Sequence, residues 1–273
     1  MQRSVSAELT LTVVDRARLA FMVAVAGGAT RERLHLTVNE APVEAAELTD
    51  AGGSRIHVVE AGPGTVSLSY AATVDGHHPS PARSDVELLE YLRPSRYCES
   101  DRLGPTAAAE FAGLEGAPLL DAVSSWVGTR LAYVPGSSQP TDGAVRTLLA
   151  RQGVCRDYAH LVVALLRALD VPARLAAVYA PGLDPMDFHA VAEAYIEDAW
   201  QVVDATTLAP RSTLLRISTA ATRPTRPSSA PTAAWCRSSP SRSPRSPTSC
   251  PTTTSRLSSS CADPGIRPAG RLV

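Results

Sequence analysis

The chain has 273 residues, 44% of them hydrophobic, enough to bury a core in one large or two modest domains. No run of eighteen apolar residues occurs and the first residues lack a signal peptide's apolar block, so a cytoplasmic protein with no membrane partner is expected. The net charge of −1 joins an acidic stretch, 1–217, to a basic one, 218–273, where eight arginines face one acid, Asp263. Lysine is absent throughout, a bias of GC-rich coding that carries no functional information.

Residues 1–80 alternate with period two at Leu9/Leu11/Val13, Phe21/Val23/Val25, Leu34/Leu36/Val38 and Val66/Leu68/Tyr70. Gly27-Gly28, Gly52-Gly53 and Gly62-Pro63-Gly64 supply turns, so an N-terminal antiparallel β-sandwich without chemistry of its own is expected. His77-His78-Pro79-Ser80-Pro81 reads as a linker; nothing nearby completes a metal-ligand set around its histidines.

From Asp85 the spacing turns helical. Leu119-Leu120, Val123, Trp126-Val127 and Leu131 mark one helix, and Gly143–Ala150 a second, capped by Asp142 or Thr141. A third helix runs from Cys155 to Leu169 with a wide apolar face, and Val171-Pro172 ends it. Ala173–Val178, His189–Ile196 and Trp200–Thr206 read as strands, the last two joined by a tight turn at Glu197-Asp198. Helices followed by an antiparallel sheet make an α+β core over 85–217.

Residues 218–273 differ in kind: Ser, Pro, Thr and Arg account for 38 of 56 residues, and no period remains. The composition predicts a disordered tail. It is also what a GC-rich gene yields when read out of frame, and codons for Thr219–Ser228 shifted in frame permit Gly-Arg-Asp-Ala-(Ala or Thr)-Asp-Ala-Ala-Phe. Beyond Trp235 the tail lacks interleaved aromatics, so no nucleic-acid partner is expected.

The chemistry concentrates at Gly153-Val154-Cys155-Arg156-Asp157-Tyr158. Of the five cysteines, none forms a CxxC pair, and Cys155 stands where a turn becomes an apolar helix. The positive end of a helix dipole favours a thiolate there. His189 could take the thiol proton and Asp204 could orient that imidazole, which makes Cys155, His189 and Asp204 a candidate catalytic triad. A two-residue turn at Glu197-Asp198 pairs residues whose numbers sum to 395, placing His189 opposite Thr206 and Asp204 diagonally beside His189. A slip of one residue would remove that contact. His160 competes for the base role, but five residues along a helix is a rotation of about 500°, away from the thiol, so it reads as structural. Asp157 reads as a helix-start charge and Asp187 as a loop residue. The Cys155 N–H is a candidate oxyanion donor; a second donor is not identified.

These blocks, with Leu166-Arg167-Ala168-Leu169-Asp170-Val171-Pro172-Ala173-Arg174, Phe188-His189-Ala190, Glu193, Trp200 and Asp204-Ala205-Thr206, resemble the bacterial transglutaminase-like superfamily. Tyr91-Leu92-Arg93-Pro94-Ser95-Arg96-Tyr97 and Thr141–Arg151 are similar to that family's stretch ahead of the core, and the β domain to one that often precedes it. Asp204-Ala205 replaces the family's usual aspartate-proline. The resemblance implies a papain-like, transglutaminase-like core and thiol acyl transfer through a thioester on a protein or peptide substrate, by a peptidase or amidase rather than a cross-linking enzyme. No cofactor or metal is expected, and no acidic calcium loop is present. Three other readings remain: an acyltransferase similar to the arylamine N-acetyltransferases, against which the N-terminal β domain argues, a non-catalytic scaffold of the same fold, and a truncated pseudogene product that never folds stably.

Overall fold

A computed structural model describes residues 1–76 and 85–219 in full, and the backbone of residues 234–238 and 253–262. The His77-His78 linker and the rest of the 218–273 segment lie outside the described residues.

The first seven strands are β1 (Gln2–Val13), β2 (Ala17–Phe21), β3 (Arg31–Val38), β4 (Ala41–Pro42), β5 (Ala46–Thr49), β6 (Arg55–Ala61) and β7 (Gly64–Asp75). Alternation along β1 and β7 buries Val5, Leu9, Leu11, Val66, Leu68 and Tyr70 on one face, against Leu19, Phe21 and Val59 of the facing sheet. Each such side chain contributes roughly 1.5–3 kcal/mol on burial.

Helices α1 (Asp85–Glu90), α2 (Ser100–Phe111) and α3 (Gly116–Arg130) follow. A two-residue strand, β8 (Ala132–Tyr133), then precedes α4 (Ala144–Ala150), β9 (Gln152–Gly153) and α5 (Cys155–Arg167). Gly143 is the α4 cap residue and no side-chain cap bond forms, so the expected Asp142 or Thr141 cap is not made; the Asp142 carboxylate accepts the Gln139 N–H at 2.9 Å instead. Helix α5 is buried over its whole circumference apart from Arg156, because α2, α3 and α4 pack on it from one side and the sheet from the other. It ends where the Arg167 guanidinium bonds the carbonyls of Ala173 and Arg93.

The second sheet follows: β10 (Ala173–Tyr179), β11 (His189–Ile196), β12 (Ala199–Val203) and, after a 3-10 turn at Arg211–Thr213, β13 (Leu215–Thr219). Its order is β12-β11-β10-β13, all antiparallel. Glu197 and Asp198 both have positive φ, the primed turn that matches strand twist, and Ile196 pairs with Ala199 and Ala192 with Val203. That is the register expected from the turn length. The ladder stops at Ala192–Val203, so Asp204 to Thr206 leave the strand instead of extending it.

The 218–273 segment, expected to lack regular structure, holds β14 (Ala234–Ser238) and β15 (Thr253–Ala262). They pair antiparallel with β2 and β1 and extend the sandwich sheets to β14-β2-β6-β5 and β15-β1-β7-β3-β4. Such edge pairing uses main-chain groups, to which a composition of Ser, Thr and Arg is indifferent.

The sandwich core continues into the second half of the chain. Tyr179, Phe188, Leu215 and Ile217 belong to the same buried cluster as Phe21 and Tyr70. Tyr179 Oη donates to Val23 O at 2.7 Å, and the Tyr179 ring stacks on Tyr70 at 6.3 Å. The sandwich thereby braces β10 and the residue immediately before His189.

Candidate active site

Cys155 is the first residue of α5, 7% exposed, with a backbone N–H that the helix itself leaves unpaired. The turn into the helix is fixed by Asp157, whose Oδ2 accepts the Val154 N–H at 2.9 Å while Oδ1 accepts from Ser138 at 2.9 Å. Gly153 makes this fit: a Cβ there would lie 2.7 Å from Asp157 Cβ. Asp157 is thus a capping group at the helix start.

His189 opens β11, 1% exposed, and its Nε2 lies 3.0 Å from Asp204 Oδ2. Asp204 is buried as well, and its Oδ1 accepts the Thr206 N–H at 2.9 Å and the Thr206 hydroxyl at 2.7 Å. Its carbonyl is clamped to α3 by Ser124 Oγ at 3.1 Å and by Arg211 at 3.3 Å. Gly128 of α3 completes the clamp, since a Cβ there would lie 2.7 Å from the Ala205 carbonyl. Both Asp204 oxygens are thus committed and the imidazole has a fixed orientation. With Nε2 turned to Asp204, Nδ1 is the nitrogen left for Cys155, whose side chain acts on the ring from close by.

The electrostatics follow from these contacts. Burial alone would lower the His189 pKa, but the Asp204 hydrogen bond and the Cys155 contact outweigh it and raise the value to about 9. Burial would raise the Asp204 carboxyl, and the His189 and Thr206 bonds reverse that and hold it below the usual carboxylate range. The ring is therefore a cation at neutral pH, beside the Cys155 sulfur and against a carboxylate. A thiol and an imidazole in contact can exchange a proton, and the carboxylate stabilises the charge that results.

The structure thus brings together Cys155, His189 and Asp204. The other titratable groups near α5 and β11 have contacts of their own. His160 stacks on Tyr97 at 5.3 Å, and burial, then Arg156 and Arg167, push its pKa down to about 3. Asp187 Oδ1 accepts the Phe188 N–H at 2.7 Å in the loop before β11. Cys98 is buried under α5, where burial pushes its thiol up to about 11 despite Arg167.

Several site residues escaped the sequence reading. Ser124 and Gly128 act through backbone contacts across long sequence gaps, and Arg211 bonds the Asp204 carbonyl from a turn seven residues on. Tyr133 lies on a two-residue strand too short to show a period, and its hydroxyl meets both the amide and the side chain of Cys155. A cavity of about 550 Å³ lies elsewhere, in the sandwich, lined by His35, Leu36, Val43, Glu44 and His57 among others; it contains no member of the Cys155 site. Among the described residues no group of three His, Cys, Asp or Glu is placed to hold a metal ion, and no helix is long and apolar enough to cross a membrane.

Comparison with known proteins agrees with this architecture. The family model of the transglutaminase-like superfamily matches residues 110–205, which run from the end of α2 to just past Asp204. A proposed cysteine protease from Cytophaga hutchinsonii, of known crystal structure, is 30% identical and superposes with a TM-score of 0.80 over 98% of this chain and 93% of its own. The periplasmic domain of TgpA from Pseudomonas aeruginosa is 16% identical over 74% of this chain and 87% of its own, with a TM-score of 0.42. An uncharacterized protein of Mycobacterium leprae is 33% identical over 58 residues, so the matched stretch spans about a fifth of each chain. A helix-borne cysteine facing a histidine strand, the matched core and the near full-length structural relative together make this chain a member of the transglutaminase-like superfamily.

Proposed function

We propose that this protein is a cysteine-dependent acyl-transfer enzyme that hydrolyses amide bonds of a protein or peptide, with Cys155 as nucleophile, His189 as acid and base, and Asp204 as the group that orients the imidazole. The observation that carries this reading is the His189–Asp204 contact of 3.0 Å beside a cysteine at a helix N-terminus. The Cys155 sulfur adds to the amide carbonyl carbon, and its thiol proton, held on His189, passes to the leaving amine as the C–N bond breaks. Water then adds to the thioester, gives a proton to His189, and releases the acid and the free thiol. The likeness to a proposed cysteine protease supports water over an amine as the acceptor.

The test uses succinylated casein, with release of new amino groups and incorporation of dansylcadaverine measured side by side. Wild type is expected to release amines with little dansylcadaverine uptake, and Cys155→Ala to do neither. Amine release by Cys155→Ala would overturn the nucleophile, and dominant dansylcadaverine uptake by wild type would overturn hydrolysis.

A further inference from the structure

Acyl transfer leaves a negative oxygen on the former carbonyl, and the Cys155 N–H alone is a thin answer to it. Enzymes of this chemistry commonly aim at least two preorganised donors at that oxygen, and losing one costs about 10²–10³ in rate. A second donor must sit next to the Cys155 amide and sulfur, be a donor at neutral pH, and have no stronger commitment elsewhere.

The fold carries one group to that place. β8 and β9 run parallel with Tyr133 beside Gly153, two residues before Cys155. The pairing is fixed by Ala132 N to Arg151 O at 2.9 Å and Val134 N to Gly153 O at 3.0 Å. From α5, Tyr158 Oη donates to Leu131 O at 2.8 Å and its ring lies 6.0 Å from the Tyr133 ring, which holds the strand against the helix start. The Tyr133 hydroxyl then faces both the amide and the side chain of Cys155. It therefore stands beside the place that a substrate oxygen bound to the Cys155 N–H would take. Its ring is 41% exposed, so it can give way to a substrate without disturbing the core.

The other side-chain donors around the helix start are turned to other acceptors, apart from Arg156 Nε, which is buried without a partner. Arg156 bonds Ser138 Oγ and Gln139 O, and Thr206 bonds Asp204. Desolvation, then the Cys155 charge, raises the Tyr133 phenol to about 12, so it keeps its proton across the working range.

We propose that the Tyr133 hydroxyl is the second oxyanion donor, displaced from the Cys155 N–H by the incoming carbonyl oxygen and turned to donate to it. This rests on the reading of Cys155 as nucleophile. As the S–C bond forms, the carbonyl π pair moves onto oxygen, which receives hydrogen bonds from the Cys155 N–H and the Tyr133 O–H. No proton leaves Tyr133, and the pair returns to re-form the carbonyl when the leaving group departs.

The test compares two reactions of the same thiol in Tyr133→Phe. 4-Nitrophenyl acetate acylates through a tetrahedral oxyanion; iodoacetamide alkylates by displacement and forms none. The expected result is a loss of about 10²–10³-fold in the acylation burst rate with alkylation within about twofold of wild type. An unchanged or faster burst would overturn the proposal, the latter marking Tyr133 as a cover over Cys155. Equal losses in both reactions would also overturn it, since the hydroxyl would then position the thiol. Failure of the nucleophile reading is separate: Cys155→Ala would keep the burst.

Discussion

The Asp204 carboxylate grips His189 from outside the β-ladder, with Oδ2 on Nε2 at 3.0 Å and Oδ1 on the main chain and hydroxyl of Thr206. Pairing ends at Val203, so Asp204 is aimed by a turn and by the α3 clamp on its carbonyl, rather than by strand register alone. Asp204→Asn keeps the size of the side chain and removes its charge. The His189 pKa is expected to fall from about 9, because burial then acts with its largest opponent gone. Turnover is expected to drop by about 10²–10⁴, as for other triads that lose the carboxylate. The pH profile of iodoacetamide alkylation reports it: its dependence on His189 should move to lower pH, and a profile identical to wild type would deny Asp204 this role.

Stability should depend on pH through the same pair. His189 has its pKa raised in the folded protein, so its contribution is fully present below 6.5 and is lost as pH rises through about 9. That loss is on the order of 3 kcal/mol for a shift of this size. Asp204 has its pKa lowered, so its contribution is present above 3.8 and fades as pH falls through the lower folded value. Urea unfolding at pH 7 and pH 10 should show the alkaline loss in wild type and a smaller one in His189→Gln. Activity should fall over the same alkaline range, as the imidazolium that protonates the leaving amine disappears.

What the sequence disclosed follows physical lines. The β11–β12 register was legible because period-two strands and a two-residue turn leave one pairing that keeps both faces consistent. Cys155 was legible because a turn, a thiol and an apolar helix adjoin in sequence. Tyr133 was not, since a two-residue strand has no period and its meaning comes from a parallel pairing twenty residues away. The α4 cap is not legible in Thr141-Asp142, because residue preference at a helix start says nothing about where the chain has turned; Glu99 reaches that helix start instead, accepting the Val145 N–H at 3.4 Å. The shared core around Tyr179 and Phe188 was invisible for a similar reason: apolar residues in one sheet do not declare which neighbouring domain will cover them.

Gly128→Ala probes the clamp without touching any polar group. The added Cβ would stand 2.7 Å from the Ala205 carbonyl, which adjoins Asp204. Either α3 or the Asp204 turn must shift, at a cost of about 1–3 kcal/mol. Turnover is expected to fall more than stability accounts for, because a displaced Asp204 loses its hold on the ring. Crystallography of the variant should show a lengthened His189–Asp204 contact; an unchanged contact with full activity would show that the helix gives way instead.

Behind the site, Arg174 is wholly buried, with Nε 2.8 Å from Glu193, Nη1 2.8 Å from Glu87 and its guanidinium 3.8 Å above the Trp200 ring. Arg174→Met fills much of the same space with no charge and takes the arginine from two carboxylates, with Arg216 at 3.5 Å still facing Glu193. Breaking a buried pair in this way costs about 3–5 kcal/mol, whereas replacing both partners by apolar groups is often close to neutral. Arg174→Met is therefore expected to lower the urea midpoint sharply, and Arg174→Met with Glu193→Leu to recover a large part of that loss. The recovery should be incomplete, because Glu87 remains without its arginine and Arg216 then lacks Glu193. A double variant no more stable than the single one would mean that the arginine acts by packing between Tyr91 and Trp200 rather than by charge.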